Sequence, residues 1–295
     1  MLCKIKEITI LFIAVTFAAC GSGKKPLQAT ASETIRAERI TPPVVQGEIV
    51  ECELEQPEIG NPTNEEPIKV ETEVETIQEI TETFGHQAFD SLLKNNVSEE
   101  GVVDYAGFIK NKKALRGYIT SLGENMPTDN WTKEDKLTYW MNAYNAMTVD
   151  LILRNLPLES IKDIDKPWNQ RLWKLGDKWY NLDEIEHQIL RKMDDPRIHF
   201  GINCASFSCP PLLNEAFTSQ KVDFQLEELA RNFVNDTRRN SISEKAVRVS
   251  KIFTWFAKDF KKNGSLIDFL NKYATTPINA KAKVRYEDYN WNLND

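Results

Sequence analysis

The chain has 295 residues, of which 41% are hydrophobic and 27% are charged, and its formal net charge is −7. Most of that charge lies in the first 76 residues, because residues 77–295 carry 30 lysines and arginines against 31 aspartates and glutamates. A nearly neutral folded part lacks the basic surface that nucleic-acid binding requires, so the composition excludes a nucleic-acid partner. Residues 77–295 are numerous enough to bury the core of one globular domain.

Residues 1–19 resemble a bacterial lipoprotein signal peptide. Lys4 and Lys6 form a basic start, and residues 8–18 form an apolar stretch too short to span a bilayer. Two alanines then precede Cys20, as in a lipobox. The resemblance implies cleavage before Cys20, a membrane anchor through lipid on that residue, and a location in the bacterial cell envelope, with the membrane face left open. The alternative is an ordinary secretory signal with an incidental cysteine.

Residues 20–76 are predicted to be a disordered acidic tether. Residues 41–76 contain ten glutamates, one lysine, five prolines and no aromatic residue. Such a segment cannot bury enough apolar surface to offset its loss of conformational entropy on folding. Cys52 is a lone thiol on this tether, and we assign it no function.

The first half of the predicted domain is helical. Apolar residues recur every three or four positions over residues 80–94, around residues 108–122 and over residues 137–153, and residues 101–105 suggest a short strand or turn. Thr132 and Asp135 have the spacing of a capping box at the start of the third helix. The helical spacing of its apolar residues, which continues to Leu153, predicts that this helix is long and heavily buried.

The second half mixes strands with helices. Residues 173–180 are predicted to form a hairpin that turns at Gly176 and Asp177. A helix over residues 181–192 is predicted to start with a capping box of Asn181 and Glu184. The remaining predicted elements are strands over residues 197–203 and 246–252 and helices over residues 226–235, 255–260 and 266–273. The pattern predicts an α+β fold with helices packed on a small antiparallel sheet.

Five blocks of sequence, in this order, resemble the bacterial lipoprotein branch of the family called domain of unknown function 547. The similarity covers about residues 85–295, and its blocks are LTYWMNAYNAMT, YNLDEIEHQIL, IHFGINCASFSCPPL, VSKIFTWFAKDF and YNWNLN. The resemblance implies a papain-like fold with a thiol site at a helix–sheet junction. The papain pattern has a cysteine at the start of a central helix, whereas the long helix here contains none. Either the active site is rearranged or catalysis has been lost.

Cys204 is the predicted nucleophile. A thiol can attack an acyl carbon when it is accessible and its pKa is lowered by its surroundings. The small residues Ala205 and Ser206 follow it, and their backbone amides are candidates for an oxyanion hole. Asn142 and Asn145 share one face of the long helix and are candidates for binding a substrate carbonyl. The alternative for these two asparagines is a buried amide that satisfies backbone groups.

His187 is the preferred general base. Asp183 and Glu184 precede it by four and three residues on the predicted helix, where either carboxylate can orient the imidazole. The alternative is a surface histidine without a catalytic function. His199 is the weaker candidate, because on a strand its side chain points to the opposite face from that of Cys204.

Cys209 is predicted to be structural, since two prolines follow it directly. A Cys204–Cys209 disulfide is an alternative to a reactive thiol, because the compartment is oxidising. A zinc site built from the two cysteines, His187 and His199 is a weaker alternative, because their spacing matches no standard module. We predict no metal and no cofactor.

Two functional classes follow. The first is a cell-envelope thiol hydrolase or acyl transferase, such as a peptidase or amidase, that acts on peptide or peptidoglycan. The second is a non-catalytic binding or scaffolding lipoprotein with a structural disulfide.

Overall fold

The computed structural model describes residues 83–295, which lie within one compact unit. The predicted signal peptide, the predicted tether, Cys20 and Cys52 lie outside the described residues. Within residues 83–295, no helix has the length and apolar character needed to cross a membrane. The first half of this part is helical, as predicted, and its helices are α1 (Gln87–Asn96), α2 (Tyr105–Lys110), α3 (Lys112–Glu124) and α4 (Lys133–Asn155).

The second half contains short helices and five short strands. Its helices are α5 (Leu182–Glu184), α6 (Ile198–Gly201), α7 (Val222–Asn235), α8 (Ile252–Trp255), α9 (Ala257–Phe260) and α10 (Leu266–Asn271). Its strands are β1 (Trp173–Leu175), β2 (Lys178–Tyr180), β3 (Ser241–Ile242), β4 (Ala246–Val249) and β5 (Lys283–Tyr286). The α+β fold class is therefore confirmed.

The central element is α4, and its predicted start is confirmed. The Thr132 hydroxyl accepts a hydrogen bond from the Asp135 amide at 3.0 Å, and the Asp135 carboxylate accepts one from the Thr132 amide at 3.2 Å. Every residue from 137 to 152 is buried. A helix that is buried on all sides lies inside the core rather than on its surface, so α4 is the support on which the other helices pack.

Two small sheets lie beside the helices. β1 and β2 form the predicted antiparallel hairpin, with Trp173 opposite Tyr180. In the second sheet, β3 pairs antiparallel with β4, whereas β4 pairs parallel with β5, Val247 lying opposite Val284. The expected single antiparallel sheet is thus replaced by two sheets, one of them mixed. The parallel pair arises because the chain crosses over through α8, α9 and α10 before it forms β5.

Two predicted elements differ in type from those in the structure. The helical turn α6 replaces the strand predicted over residues 197–203. The segment predicted as one helix over residues 181–192 consists of α5, a π-helical turn (Ile185–Ile189) and a 3-10 turn (Leu190–Met193). Asn181 caps this segment by accepting from the Glu184 amide at 2.8 Å, but the predicted reciprocal bond is missing because the Glu184 carboxylate instead binds Arg171 and Lys178.

Candidate functional site

A cavity of about 270 Å³ lies between α4, the π-helical turn, the loop after α6, α8 and the C-terminal residues. Six of the sixteen residues that line it are aromatic: Tyr144, Trp168, Trp255, Phe256, Tyr289 and Trp291. Its charged and polar lining includes Asp183, Glu186, His187, His199, Cys204 and Cys209. The fold therefore brings the two cysteines, two histidines and two carboxylates of separate segments to one cavity.

The cysteine loop, which we define as residues 203–210, is fixed by side chains around it. The side-chain oxygen of Asn203 accepts from the Ala205 amide at 2.8 Å, and its side-chain nitrogen donates to the Pro210 carbonyl at 2.8 Å. Arg239 donates to the carbonyl of Cys209 at 2.9 Å. Ala205 has a φ of 56°, in the left-handed region that non-glycine residues rarely adopt. The loop is thus held in a strained turn directly after Cys204.

Three hydrogen-bonding groups surround the half-buried Cys204 thiol. Its Sγ lies 2.9 Å from the Cys209 Sγ, 3.1 Å from the Ser206 hydroxyl and 3.3 Å from the Tyr289 hydroxyl. The hydrogen bond from Cys209 lowers the pKa of Cys204 most, and with those from Ser206 and Tyr289 it outweighs the effect of burial and brings that pKa to about 7. Ser206, predicted from the sequence, therefore lies at the site.

The Cys209 thiol has the opposite character. Its residue is 4% exposed, and burial raises its pKa well above the ordinary value. The two cysteines are both free thiols, since a disulfide requires a sulfur separation of about 2.05 Å. The site thus contains one acidic thiol at the cavity wall and one buried thiol beside it.

The backbone amides next to Cys204 are already engaged. The Cys204 amide donates to the Cys209 Sγ at 3.0 Å, and the Ala205 amide donates to Asn203. The Ser206 amide helps to lower the pKa of the Cys204 thiol. The two amides predicted to form an oxyanion hole, those of Ala205 and Ser206, therefore already have partners in this arrangement.

Glu186 is a site residue that the sequence analysis missed. It lies in the π-helical turn, is 8% exposed and accepts a hydrogen bond from the Tyr144 hydroxyl at 3.2 Å. Burial raises its pKa to about 7. π-Helical turns occur frequently at functional sites, but nothing in the local sequence marks one here. On a regular α-helix, Glu186 would have been one more acidic residue among several.

His187 lines the cavity without a hydrogen bond to Cys204. Its Nδ1 accepts from the Arg191 guanidinium at 3.2 Å, and its Nε2 lies 3.7 Å from the Asp183 carboxylate. Burial lowers its pKa. The predicted neighbour Asp183 is thus near the ring, whereas Glu184 is directed toward Arg171 and Lys178 and is not among the residues that line the cavity.

His199 is placed differently from the expectation, because it lies on the helical turn α6. Its buried ring stacks on Phe256 at a centroid distance of 3.8 Å, and its Nε2 lies 2.8 Å from the Asp259 carboxylate. Hydrogen bonds from His199 and Arg191 hold the pKa of Asp259 below its usual range although burial opposes them. Nδ1 of His199 has no hydrogen-bond partner within residues 83–295. The strand-based argument against His199 therefore does not apply.

Asn142 and Asn145 lie in the core and not at the cavity. Asn142 donates to the Phe217 carbonyl at 2.9 Å and accepts from the Phe217 amide at 3.0 Å. Asn145 donates to the Gly201 carbonyl at 2.9 Å and accepts from the Asn203 amide at 2.9 Å. Both amides are thus used by backbone groups, and Asn145 fixes the start of the cysteine loop. This arrangement therefore does not favour substrate binding by either side chain.

Across the part of the chain that the structure describes, no group of three or more histidine, cysteine or acidic side chains is arranged to hold a metal ion. The two cysteines and two histidines considered for zinc line the same cavity but do not converge on one point.

Comparison with known proteins gives a match to one family. No curated protein and no solved structure matches this chain. The family model that matches is the one described as "Protein of unknown function, DUF547", and the match covers residues 128–234. That range runs from the residues before α4 to the end of α7 and contains Glu186, both cavity histidines and the whole cysteine loop.

Proposed function

We propose that this chain is a lipid-anchored thiol hydrolase or acyl transferase of the bacterial cell envelope, with Cys204 as its nucleophile. The observation that carries the proposal is the set of hydrogen-bonding groups around the Cys204 sulfur at the wall of an aromatic cavity. Hydrogen bonds to a thiolate favour its charged form, and the thiolate is the reactive form of cysteine.

The first chemical step needs no separate base. With a pKa of about 7, Cys204 is about half ionised at neutral pH, so its thiolate is available to attack an acyl carbon. The attack forms a bond between Sγ and the carbonyl carbon, and the electron pair of the carbonyl moves to its oxygen. The hydroxyls of Tyr289 and Ser206 lie next to the sulfur, where they are suited to donate to that oxygen.

The leaving group must then receive a proton, and Glu186 is the residue best suited to supply it. Its pKa of about 7 keeps about half of its carboxyl groups protonated at neutral pH, as general acid catalysis requires. After the acyl-enzyme forms, the same carboxylate is suited to accept a proton from the attacking water. Glu186 therefore takes the function that the sequence analysis gave to His187.

His187 is less suited to act as a base because its Nδ1 already accepts from Arg191. Its neutral form then carries the proton on Nε2. His199 has the opposite tautomer, since its Nε2 donates to Asp259 and its Nδ1 keeps a free lone pair. We therefore place His199 second to Glu186 in the transfer of protons.

The substrate class follows from the lining of the cavity. Asp183 and Glu186 are its acidic residues, and no lysine or arginine of the described part of the chain lines it. Such a cavity favours uncharged or cationic acyl compounds over anionic ones, and its aromatic wall suits flat or apolar groups. A peptide, or the peptide part of peptidoglycan, fits this requirement. A lipid anchor at Cys20 and an acidic tether of residues 20–76 would let the domain reach such a substrate in the envelope.

The proposal is tested by acylation of the full chain with p-nitrophenyl acetate. We expect the acetyl group on Cys204, and we expect it to be lost again by hydrolysis. Trypsin releases residues 198–221 as one peptide that contains Cys204 and Cys209 but no other cysteine, so mass spectrometry follows this site alone. Glu186→Gln should slow the loss of the acetyl group at least about a hundredfold, the lower end of the range for general acid–base catalysis. Glu184→Gln is the matched control, because Glu184 is not among the residues that line the cavity.

The second candidate is a non-catalytic binding or scaffolding lipoprotein with a Cys204–Cys209 disulfide. It is favoured by the 2.9 Å separation of the two sulfurs. In that case the peptide of residues 198–221 would not be acetylated before reduction of the protein. An acetyl group that forms on reduced Cys204 but is not hydrolysed would also favour the binding module over the enzyme.

A further inference from the structure

We infer that Cys204 and Cys209 form a redox-active pair that exchanges with an external disulfide, Cys204 attacking it and Cys209 resolving the mixed disulfide. This inference rests on the proposed nucleophilic thiol at Cys204 and goes beyond the acyl chemistry proposed for it. It also differs from a structural disulfide, which stays intact while the protein functions, whereas a redox-active pair alternates between dithiol and disulfide.

The separation of the two sulfurs is the first support. They lie 2.9 Å apart, and a disulfide forms at about 2.05 Å, so they need to approach by about 0.9 Å. Rotation of the two side chains can supply this approach. The cysteine loop is held by Asn203, Arg239 and the C-terminal residues, whose Asn292 carbonyl accepts from the Phe207 amide at 2.7 Å. The backbone therefore does not have to rearrange between the two redox states.

The unequal access of the two thiols is the second support. Both cysteines line the cavity, but Cys204 is partly exposed whereas Cys209 is 4% exposed. An external disulfide entering the cavity meets the Cys204 sulfur first. The Cys209 thiol is then beside the mixed disulfide and attacks it intramolecularly, which gives it a large advantage over thiols in solution.

The exchange is balanced in two steps. In the first, the Cys204 thiolate forms a bond to one sulfur of the external disulfide, the external S–S bond breaks, and the other external sulfur leaves as a thiolate. In the second, Cys209 loses its proton and its sulfur attacks the Cys204 sulfur, and the remaining external group leaves as a thiolate. The cysteine pair has lost two electrons, and the external disulfide has become two thiols that take up the protons of the two cysteines.

The pair would thereby control the proposed acyl chemistry. Only the dithiol has a free Cys204 sulfur, so oxidation removes the nucleophile and reduction by an external dithiol restores it. Glu186 lines the same cavity, and we assign to it the acceptance of the proton that Cys209 must lose.

The test uses the full chain, reduced and then freed of reductant, with 5,5′-dithiobis(2-nitrobenzoic acid) as the external disulfide. In the wild-type chain, we expect a transient mixed disulfide on the peptide of residues 198–221. That peptide should end two hydrogens lighter than its reduced form and without a nitrothiobenzoate group. In Cys209→Ser, the reaction should stop at a stable mixed disulfide on Cys204. Addition of dithiothreitol should return the wild-type peptide to its reduced mass.

The outcomes separate the two proposals. A mixed disulfide that persists on Cys204 in the wild-type chain would overturn the inference and leave the nucleophilic thiol in place. Failure of Cys204 to react in the native chain, with reaction after unfolding in urea, would overturn both. The wild-type result decides the inference even if the Cys209→Ser variant does not fold.

Discussion

Two buried carboxylates, Asp150 and Glu186, differ sharply in the number of hydrogen-bond donors around them. The Asp150 side chain is 0% exposed and accepts hydrogen bonds from Arg116 at 2.9 Å, Arg154 at 2.6 Å and the Trp173 indole at 2.9 Å. Glu186 is also buried, yet within residues 83–295 its one hydrogen bond comes from Tyr144 at 3.2 Å, and no cation contacts it.

We interpret the difference as that between a structural charge, Asp150, and the proton-exchanging carboxyl group proposed for Glu186. A buried carboxylate surrounded by donors holds the elements that supply them, here α3, α4 and β1. A buried carboxylate with few partners is unfavourable as an anion and is retained where proton exchange is needed. The predictions below test this contrast, starting with the largest effect.

Replacement of Asp150 by asparagine should destabilise the protein by about 3 kcal/mol, the upper range for hydrogen bonds to a charged group, because Asp150 is fully buried while the two guanidinium groups that lose their charged acceptor are partly exposed. The measurement is the free energy of urea unfolding at pH 7. Asp288→Asn is the control, since its side chain is fully exposed and lies 3.6 Å from Lys251, and it should change that free energy by less than about 0.5 kcal/mol. Equal effects of the two substitutions would show that Asp150 is not a structural charge.

Replacement of Glu186 by glutamine should stabilise the protein at alkaline pH. Burial raises its pKa in the folded state to about 7 from an unfolded value of 4.5, so the folded state binds more protons between these values and the wild type loses stability as pH rises through this window. The gain from the substitution should approach about 3 kcal/mol at pH 8, by the energy equivalent of a pKa shift, and should vanish below pH 4.5.

The control for Glu186 is Glu184→Gln, two residues away. Hydrogen bonds from Lys178 and Arg171 lower the pKa of Glu184 although its burial opposes them. Its substitution should therefore destabilise the protein at neutral pH and should have less effect as pH falls below the usual range of a carboxyl group. Unfolding free energies measured from pH 4 to pH 8 distinguish the two. Destabilisation by Glu186→Gln at every pH would contradict the account.

Tyr289→Phe should raise the pKa of Cys204, because it removes one of the hydrogen-bonding groups at the sulfur. We expect a shift of about one unit, the size of one hydrogen bond to a charged group, and therefore alkylation about tenfold slower at pH 6. The measurement is the rate of iodoacetamide labelling of the peptide of residues 198–221. Tyr286→Phe is the control, since that side chain is exposed on β5 and should leave the rate unchanged. Equal rates for both variants would remove Tyr289 from the site.

The sequence predicted the elements whose signals are local. The capping box of Thr132 and Asp135, the apolar pattern of α4 and the turn at Gly176 and Asp177 each depend on residues a few positions apart, and the structure confirms all three. The sequence also drew attention to the segment around Cys204, because the few cysteines and histidines of the chain are concentrated there. In the structure, Cys204 lies at the cavity.

The sequence did not predict elements that depend on distant contacts. The apolar run that became α6 is too short for its periodicity to separate a helical turn from a strand. The π-helical turn, and with it the burial of Glu186, is not encoded by any local pattern. No local pattern marks Tyr289 either, because its hydroxyl contacts the Cys204 sulfur across 85 positions of sequence. Asn142 and Asn145 share a face of α4 as predicted, but both are buried, and their side chains hydrogen-bond to backbone groups.

The central claim is that Cys204 is a stabilised thiolate at neutral pH. The most direct measurement is the ultraviolet thiolate absorbance of the reduced full chain as a function of pH, with the curve of Cys204→Ser subtracted. The account predicts a single transition with a midpoint near pH 7. A midpoint at or above the ordinary cysteine value of about 8.5 would contradict it.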